Sequence, residues 1–188
     1  MNFSSDLRVF LKEKYTPSTK SFPIKLKSKN KIEKPPVVHQ TQNLKVLDLS
    51  NQKLRFISVD LKSLKNLDRL ILDNNYLTKI SEDLCSLSLE SLSLKKNLIR
   101  NFPERWGKLG NRLLFLDLQY NEIDKLDDNL SELISLQVLK LNNNAFTSLC
   151  HELGLLENLL LFDIEWGKYA NPPIDQSLTG SELNSLKE

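Results

Sequence analysis

Several residue types on which common folds and active sites depend are scarce in this chain of 188 residues. Two cysteines, Cys85 and Cys150, are too few for a disulfide scaffold and are typical of a reducing compartment. Five glycines form neither a GxGxxG motif nor a glycine-rich phosphate loop. The two histidines and two cysteines have no zinc-ligand spacing. No apolar run reaches the roughly 18 residues that a membrane-spanning helix needs, so no membrane-spanning helix is expected.

The first 40 residues differ from the rest of the chain in charge. They carry a net charge of about +6, whereas residues 41–188 carry about −4. No apolar core of a secretory signal occurs here, and Asp6 and Glu13 argue against the alternative of a mitochondrial transit peptide. This basic arm is either a solvated lysine-rich tail or a segment that docks on an acidic surface.

Within the arm, residues 4–15 have the apolar spacing of a helix, and Phe22, Ile24 and Leu26 alternate as in a strand. Residues 27–36 are predicted to form a loop. The arm is therefore expected either to cap the first unit of the domain that follows or to anchor the chain to a partner.

From Leu44 onwards the sequence repeats itself every 22–24 residues. When each repeat is numbered from its first leucine, positions 1, 4, 6, 11, 14, 18 and 21 form columns that are apolar in all five repeats. All 35 of these residues are apolar, where the 40% apolar composition alone would give about 14. One repeat cannot bury such a face, but stacked repeats can, so the pattern predicts a solenoid. The repeats read LKVLDLSNQKL, LDRLILDNNYL, LESLSLKKNLI, LLFLDLQYNEI and LQVLKLNNNAF.

These segments resemble L-x-x-L-x-L-x-x-N-x-L, the signature of the leucine-rich repeat family, over roughly residues 44–169. The spacing is similar to that of the short intracellular type with 22–24-residue repeats. The resemblance implies an α/β fold: a curved right-handed solenoid with a parallel sheet on its concave face and short helical or extended segments on its convex face. It also implies a role in protein–protein interaction.

Column 9 is asparagine in four repeats, at Asn75, Asn97, Asn121 and Asn144, and glutamine (Gln52) in the first. An amide side chain both donates and accepts, so it can satisfy backbone groups where the chain turns inward. We predict five full repeats plus a terminal capping repeat over residues 41–175, preceded by the arm and cap at residues 1–40. Residues 176–188 are predicted to be a C-terminal tail. The C-terminal cap is expected to use Trp166, Tyr169 and the sequence Asn171-Pro172-Pro173.

No residue pattern indicates an active site, and we predict that the chain is not an enzyme and binds no cofactor or metal. Cys150 and His151 are neighbours in sequence, which does not make them geometric partners for catalysis. Asp124, Asp127 and Asp128 are interpreted as a solvated acidic edge rather than a cation site. Nucleic-acid binding is not expected, because the repeats are net acidic and lack a basic stripe.

The residues between the apolar columns of each strand are predicted to face outward from the concave face and to bind a partner. Exposed apolar groups with a charged rim are typical of an interface. Phe115, Tyr120, Val138, Leu161 and Trp166 are expected to face solvent, unless they pack on each other or under the C-terminal cap. The predicted site comprises Arg69, Ile71, Asp73, Lys95, Lys96, Phe115, Asp117, Tyr120, Val138, Lys140, Leu161, Asp163, Glu165 and Trp166.

These expectations favour an intracellular adaptor or scaffold, most simply cytoplasmic, that binds a protein partner of unknown identity and is monomeric alone or part of a complex. Two alternatives remain open. One is a structural subunit of a large ciliary or organellar assembly, and the other is a regulatory subunit of an enzyme such as a phosphatase.

Overall fold

The fold is a stack of short strands joined by turns and helical segments. A computed structural model describes residues 44–57, 64–102, 106–126, 128–146, 151–164 and 177–179. Seven strands form one sheet in chain order. They are β1 (Val46–Asp48), β2 (Arg69–Ile71), β3 (Ser91–Ser93), β4 (Phe115–Asp117), β5 (Val138–Lys140), β6 (Leu161–Asp163) and β7 (Ser177–Thr179).

Strands β1 to β6 pair in parallel, column on column, as the repeat predicts. The central leucine of β1, Leu47, is opposite Leu70 of β2, and the same register continues to Leu139 opposite Phe162. Because alternate residues of a strand point to opposite faces, this register places every column-4 side chain in the core. The predicted parallel sheet and the α/β repeat solenoid are confirmed.

The seventh strand departs from the repeat. It pairs antiparallel with β6, with Phe162 opposite Leu178. Residues 177–179 were expected to lie in a C-terminal tail, whereas the structure places them at the end of the sheet. A pairing segment there satisfies backbone groups of β6 that would otherwise form an open edge.

Short helical segments follow the turns on the opposite side from the sheet. They are the 3₁₀ helices Leu84–Ser86, Asp128–Glu132 and His151–Leu155 and the α-helical turn Gly107–Gly110. Their apolar residues close the core, in which Trp106 is fully buried with its ring 5.5 Å from that of Phe102. Gly110 allows its helical turn to lie directly against the backbone of Glu132, since a Cβ there would be 1.8 Å from the Glu132 carbonyl oxygen.

The asparagine column ties each repeat to the one before it. Nδ2 of Asn97 donates to the carbonyl oxygens of Leu72 and Leu94 at 3.0 and 2.9 Å, and Oδ1 accepts from the N–H of Leu77 at 3.1 Å. Asn121 makes the same three kinds of bond one repeat further on. The predicted role of the column is confirmed. In the first repeat, Gln52 instead donates to Ser50 O in its own turn, at 2.9 Å.

Some sequence predictions concern residues outside those described. They are the arm with its helix at residues 4–15 and loop at 27–36, the capping residues Trp166, Tyr169 and 171–173, and the side chains of Asp127 and Cys150.

Candidate functional site

The predicted binding residues occupy strands β2 to β6 and the turns that follow them. Glu165 and Trp166 lie outside the described residues. Of the remainder, Lys96 and Tyr120 are exposed, and a larger group is half-buried. This half-buried group comprises Arg69, Asp73, Lys95, Lys140 and Asp163. Ile71, Phe115, Asp117, Val138 and Leu161 are buried.

Three apolar residues of the concave face form a cluster of their own. Phe115, Val138 and Leu161 have exposed fractions of 9, 0 and 6% and occupy column 3 of consecutive strands. Val138 is opposite both of the others in the strand register, so neighbouring side chains about 4.8 Å apart cover each other. The Lys140 ammonium also lies over the Phe115 ring, 5.5 Å from its centre. The expectation that these three face solvent is wrong, and the alternative that they pack on each other holds.

Two carboxylates are held against this face with raised pKa values. Burial raises the pKa of Asp117 to about 6, although its oxygen accepts a hydrogen bond from the Gln119 N–H at 3.0 Å. Burial likewise raises the pKa of Asp73, opposed by hydrogen bonds from Ser93 Oγ at 2.6 Å and Lys95 N at 3.0 Å. Each carboxylate is therefore partly compensated by the protein itself.

The residue at column 8 of each turn has a left-handed backbone and an exposed side chain. Positive φ values near 60° occur at Asn51, Asn74, Lys96, Tyr120 and Asn143. Asparagine tolerates this conformation, whereas lysine and tyrosine pay a steric cost of about 1–2 kcal/mol. The third and fourth repeats thus place long side chains where the first, second and fifth repeats have asparagine.

The ring of Tyr120 is close to two cationic side chains, Lys95 at column 7 and Lys96 at column 8 of the preceding repeat. The ammonium groups of Lys95 and Lys96 are 5.4 and 5.6 Å from the centre of its ring, within the range of cation–π attraction. The ring remains 45% exposed. Neither ammonium lies within 4.0 Å of a carboxylate oxygen of the described residues.

Two further residues of this surface were missed by the sequence analysis. Tyr76 and Leu98, both at column 10, are 49 and 39% exposed. The signal was present, because column 10 lies between two inward-facing columns, 9 and 11, and must face outward. We call the surface formed by Tyr76, Lys95, Lys96, Leu98 and Tyr120 the turn edge.

The turn edge is fixed by hydrogen bonds between consecutive turns. The N–H of Asn74 donates to Lys95 O at 2.8 Å, that of Lys96 to Gln119 O at 2.9 Å, and that of Tyr120 to Asn142 O at 2.9 Å. These bonds continue the strand ladder past the ends of the strands. The exposed side chains therefore belong to a backbone that is held in place by hydrogen bonds from turn to turn.

The described residues offer little for catalysis. Burial raises the pKa of the Cys85 thiol to about 12, which keeps it protonated and weakly nucleophilic near neutral pH. No group of three or more His, Cys, Asp or Glu side chains in the described part of the chain could hold a metal ion. None of the helices found there combines the length and the apolar character that crossing a membrane requires. The assignment as a non-enzyme stays a prediction.

Similar proteins share the repeat but are much longer. No family model matches the sequence. A probable serine/threonine-protein kinase of Dictyostelium discoideum, pats1, is 38% identical over an alignment of 129 residues that covers 64% of this chain and 4% of the kinase. The solved LRR protein LIC12759 of Leptospira interrogans matches with a TM-score of 0.62 at 33% identity, covering 69% of this chain and 34% of that one.

A third similar protein is the plant peptide hormone receptor RGFR1, solved in complex with RGF2. It matches with a TM-score of 0.55 at 29% identity, covering 63% of this chain and 20% of the receptor chain. This chain therefore spans about a third or less of the proteins compared here. The recurring columns, the asparagine ladder, the parallel sheet and these similarities together show that the chain belongs to the leucine-rich repeat family.

Proposed function

We propose that this chain is an adaptor or scaffold that binds a protein partner through the turn edge and the adjoining polar part of the concave face. The observation that carries this proposal is the exposure of Tyr76, Leu98 and Tyr120 on consecutive turns beside two lysines. Apolar groups within a polar rim are typical of protein interfaces, and tyrosine is among the residues that contribute most to binding energy.

The rigidity of the turn edge supports this proposal. Asn97 and Asn121 hold the turns from inside, and the backbone bonds between turns hold them from outside. A surface already fixed in its binding geometry loses little conformational entropy on association. Large side chains on such a scaffold can therefore convert their buried area into affinity more effectively than side chains on a mobile loop.

The residues that the sequence predicts to bind a partner on the concave face have different roles in this proposal. Lys95, Lys96 and Tyr120 contact the partner, with Arg69, Lys140 and Asp163 at the margin. Phe115, Val138 and Leu161 support the face from below, because their exposed area is too small to contribute much. The similar receptor RGFR1 was solved in complex with RGF2, which supports a binding role for this chain.

An intracellular location remains part of the proposal. It is supported by the low cysteine content and by Cys85, which is a buried free thiol with a packing role. A domain stabilised by its apolar columns needs no disulfide, and the reducing interior of a cell suits it.

The test is affinity capture with the full chain, comparing two double variants that remove exposed apolar side chains. Tyr76→Ser with Leu98→Ser alters the turn edge, while Ile134→Ser with Leu155→Ser removes two exposed apolar side chains elsewhere. Proteins retained by the wild type are identified and quantified by mass spectrometry. Partners that the wild type and the control retain, but the turn-edge variant loses, support the proposal. Equal retention by both folded variants would place the interface elsewhere.

A further inference from the structure

The turn edge carries two lysines that take part in no ion pair among the described residues. Lys95 and Lys96 place two ammonium groups around the one ring of Tyr120. The ion pairs of the described residues, such as Arg112 with Glu90 at 2.7 Å and Arg100 with Glu122 at 2.8 Å, involve neither lysine. Two like charges near one another favour an anionic group that lies close to both.

The direction from which an anion can approach is set by the concave carboxylates. Lys95 interacts favourably with Asp73 and Asp117, which lie on its concave side. An acidic partner would be repelled on that side. Lys96 and Tyr120, at column 8, are exposed, and Lys96 is not among the main charges that act on either carboxylate. We therefore take the approach on the side of these two residues as the open one.

The backbone supports a role for these two side chains. Lys96 and Tyr120 have φ values of 55° and 57°, in a conformation that asparagine adopts in the other repeats. Residues held in sparsely populated backbone regions concentrate at functional sites, where the side chain has a use that offsets the strain. Lys53 of the first repeat, at column 10, also has a positive φ. At column 8, however, the two residues that are not asparagine occur in neighbouring repeats and belong to the same cation–aromatic cluster.

The apolar members of the turn edge define the rest of the partner. Tyr76 and Leu98 flank the lysines at column 10 and offer area to apolar side chains but no charge. A nucleic-acid strand would need basic groups along its whole path, whereas the turn edge contains two, Lys95 and Lys96. A peptide that alternates carboxylates with apolar side chains fits both parts of this surface.

We propose that the turn edge binds an acidic peptide segment of the partner protein. Its carboxylates pair with Lys95 and Lys96, and its apolar side chains pack on Tyr120, Leu98 and Tyr76. This inference rests on the proposed function and specifies the chemistry that the same surface recognises.

The probe is a fluorescein-labelled octapeptide of sequence EEFEELEE, titrated with the full chain at about 0.15 M salt, where charges more than about 8 Å apart are largely screened, and read by fluorescence anisotropy. Lys95→Gln with Lys96→Gln should weaken binding about tenfold, since each exposed ion pair contributes up to about a factor of five. Lys79→Gln with Lys125→Gln is the matched control, because it removes two exposed lysines outside the turn edge. Its affinity should stay within about twofold of wild type, as overall charge alone has a small, screened effect. Tyr120→Asn should weaken binding without unfolding the protein, because asparagine suits that backbone.

The same titration with the peptide KKFKKLKK and with a labelled oligothymidylate separates the alternatives. Both should bind more weakly than the acidic peptide. The proposal is overturned if the two double variants lose equal affinity, if wild type does not bind the acidic peptide, or if the oligonucleotide binds more tightly. When affinity capture depends on the turn edge but the acidic peptide does not bind, the acidic chemistry is wrong and the proposed function stands. Capture that is indifferent to the turn edge refutes the proposed surface instead.

Discussion

Replacing Asp117 with asparagine should stabilise the folded protein at pH 7 and have little effect at pH 4. Burial raises the pKa of Asp117 from 3.8 to about 6, so the folded state binds a proton more tightly than the unfolded chain does. Well below pH 3.8 the carboxyl is protonated in both states and no penalty exists. Between about pH 3.8 and 6 the unfolded chain releases the proton while the folded state keeps it, so the stability of the folded state falls. Above about pH 6 the folded state holds a buried charge and the penalty is constant.

The size of the effect follows from that pKa difference of about two units. At about 1.4 kcal/mol per unit, the raised pKa of Asp117 costs the folded protein about 3 kcal/mol at pH 7, against less than about 1 kcal/mol at pH 4. Asparagine keeps an oxygen that can accept the hydrogen bond from the Gln119 N–H. Its new amide protons need partners of their own, which reduces the gain. We therefore expect about 1–3 kcal/mol of added stability at pH 7.

Urea denaturation of wild type and variant at the two pH values measures this directly. The difference between the two stability changes isolates Asp117, because the other titrating groups are common to both proteins. Asp124→Asn serves as a control, since the side chain of Asp124 is exposed and its change should be within about 0.5 kcal/mol. A stability change for Asp117→Asn that is the same at pH 4 and pH 7 would refute the reasoning. So would a loss of stability at both.

Four further outcomes are expected. Asn97→Ala should lower the free energy of unfolding by about 2–4 kcal/mol in urea denaturation, because buried backbone groups lose their partners; a change below about 1 kcal/mol would contradict the ladder. Gly110→Ala should cost about 1–3 kcal/mol in the same assay, since its Cβ would collide with the Glu132 carbonyl at 1.8 Å; an unchanged midpoint would contradict that packing. Tyr120→Asn should raise the melting temperature by relieving about 1 kcal/mol of backbone strain, and a clear decrease would show that the ring stabilises the turn. Limited trypsin digestion should cut residues 27–36 before the repeats, and mass spectrometry that found the first cuts within residues 44–164 would refute this domain boundary.

The fold was predictable because its main determinant is a sequence period. Columns 1, 4 and 6 repeat in register, so the strand, its buried face and its parallel partner follow together from one pattern. The asparagine column was predictable for a similar reason, since an amide at a fixed inward turn has few other roles. β7 was not predictable, because Ser177–Thr179 lies outside the period and pairs antiparallel to it.

The candidate site was only partly predictable, because exposure depends on neighbours and not only on column. Phe115 and Val138 belong to an outward column, but bulky residues in the same column of adjacent strands cover each other. Had β4 or β6 carried serine in that column, as β3 does at Ser91, Val138 would have lost part of that cover. The column predicted which face of the sheet each side chain is on, whereas the size of the side chains in neighbouring repeats determined how far it is buried.

At column 8, the residue that the backbone conformation favours differs from the residue that is present in two repeats. The first, second and fifth repeats have asparagine at the left-handed position, which is the residue that the backbone favours. A chain optimised only for folding would have asparagine in the third and fourth repeats as well. Lys96 and Tyr120 stand there instead, and both are exposed, so their presence cannot be explained by packing in the core. A local violation of this kind, shared by two side chains that contact each other, points to a constraint from outside the fold, and the bound partner is the source we propose.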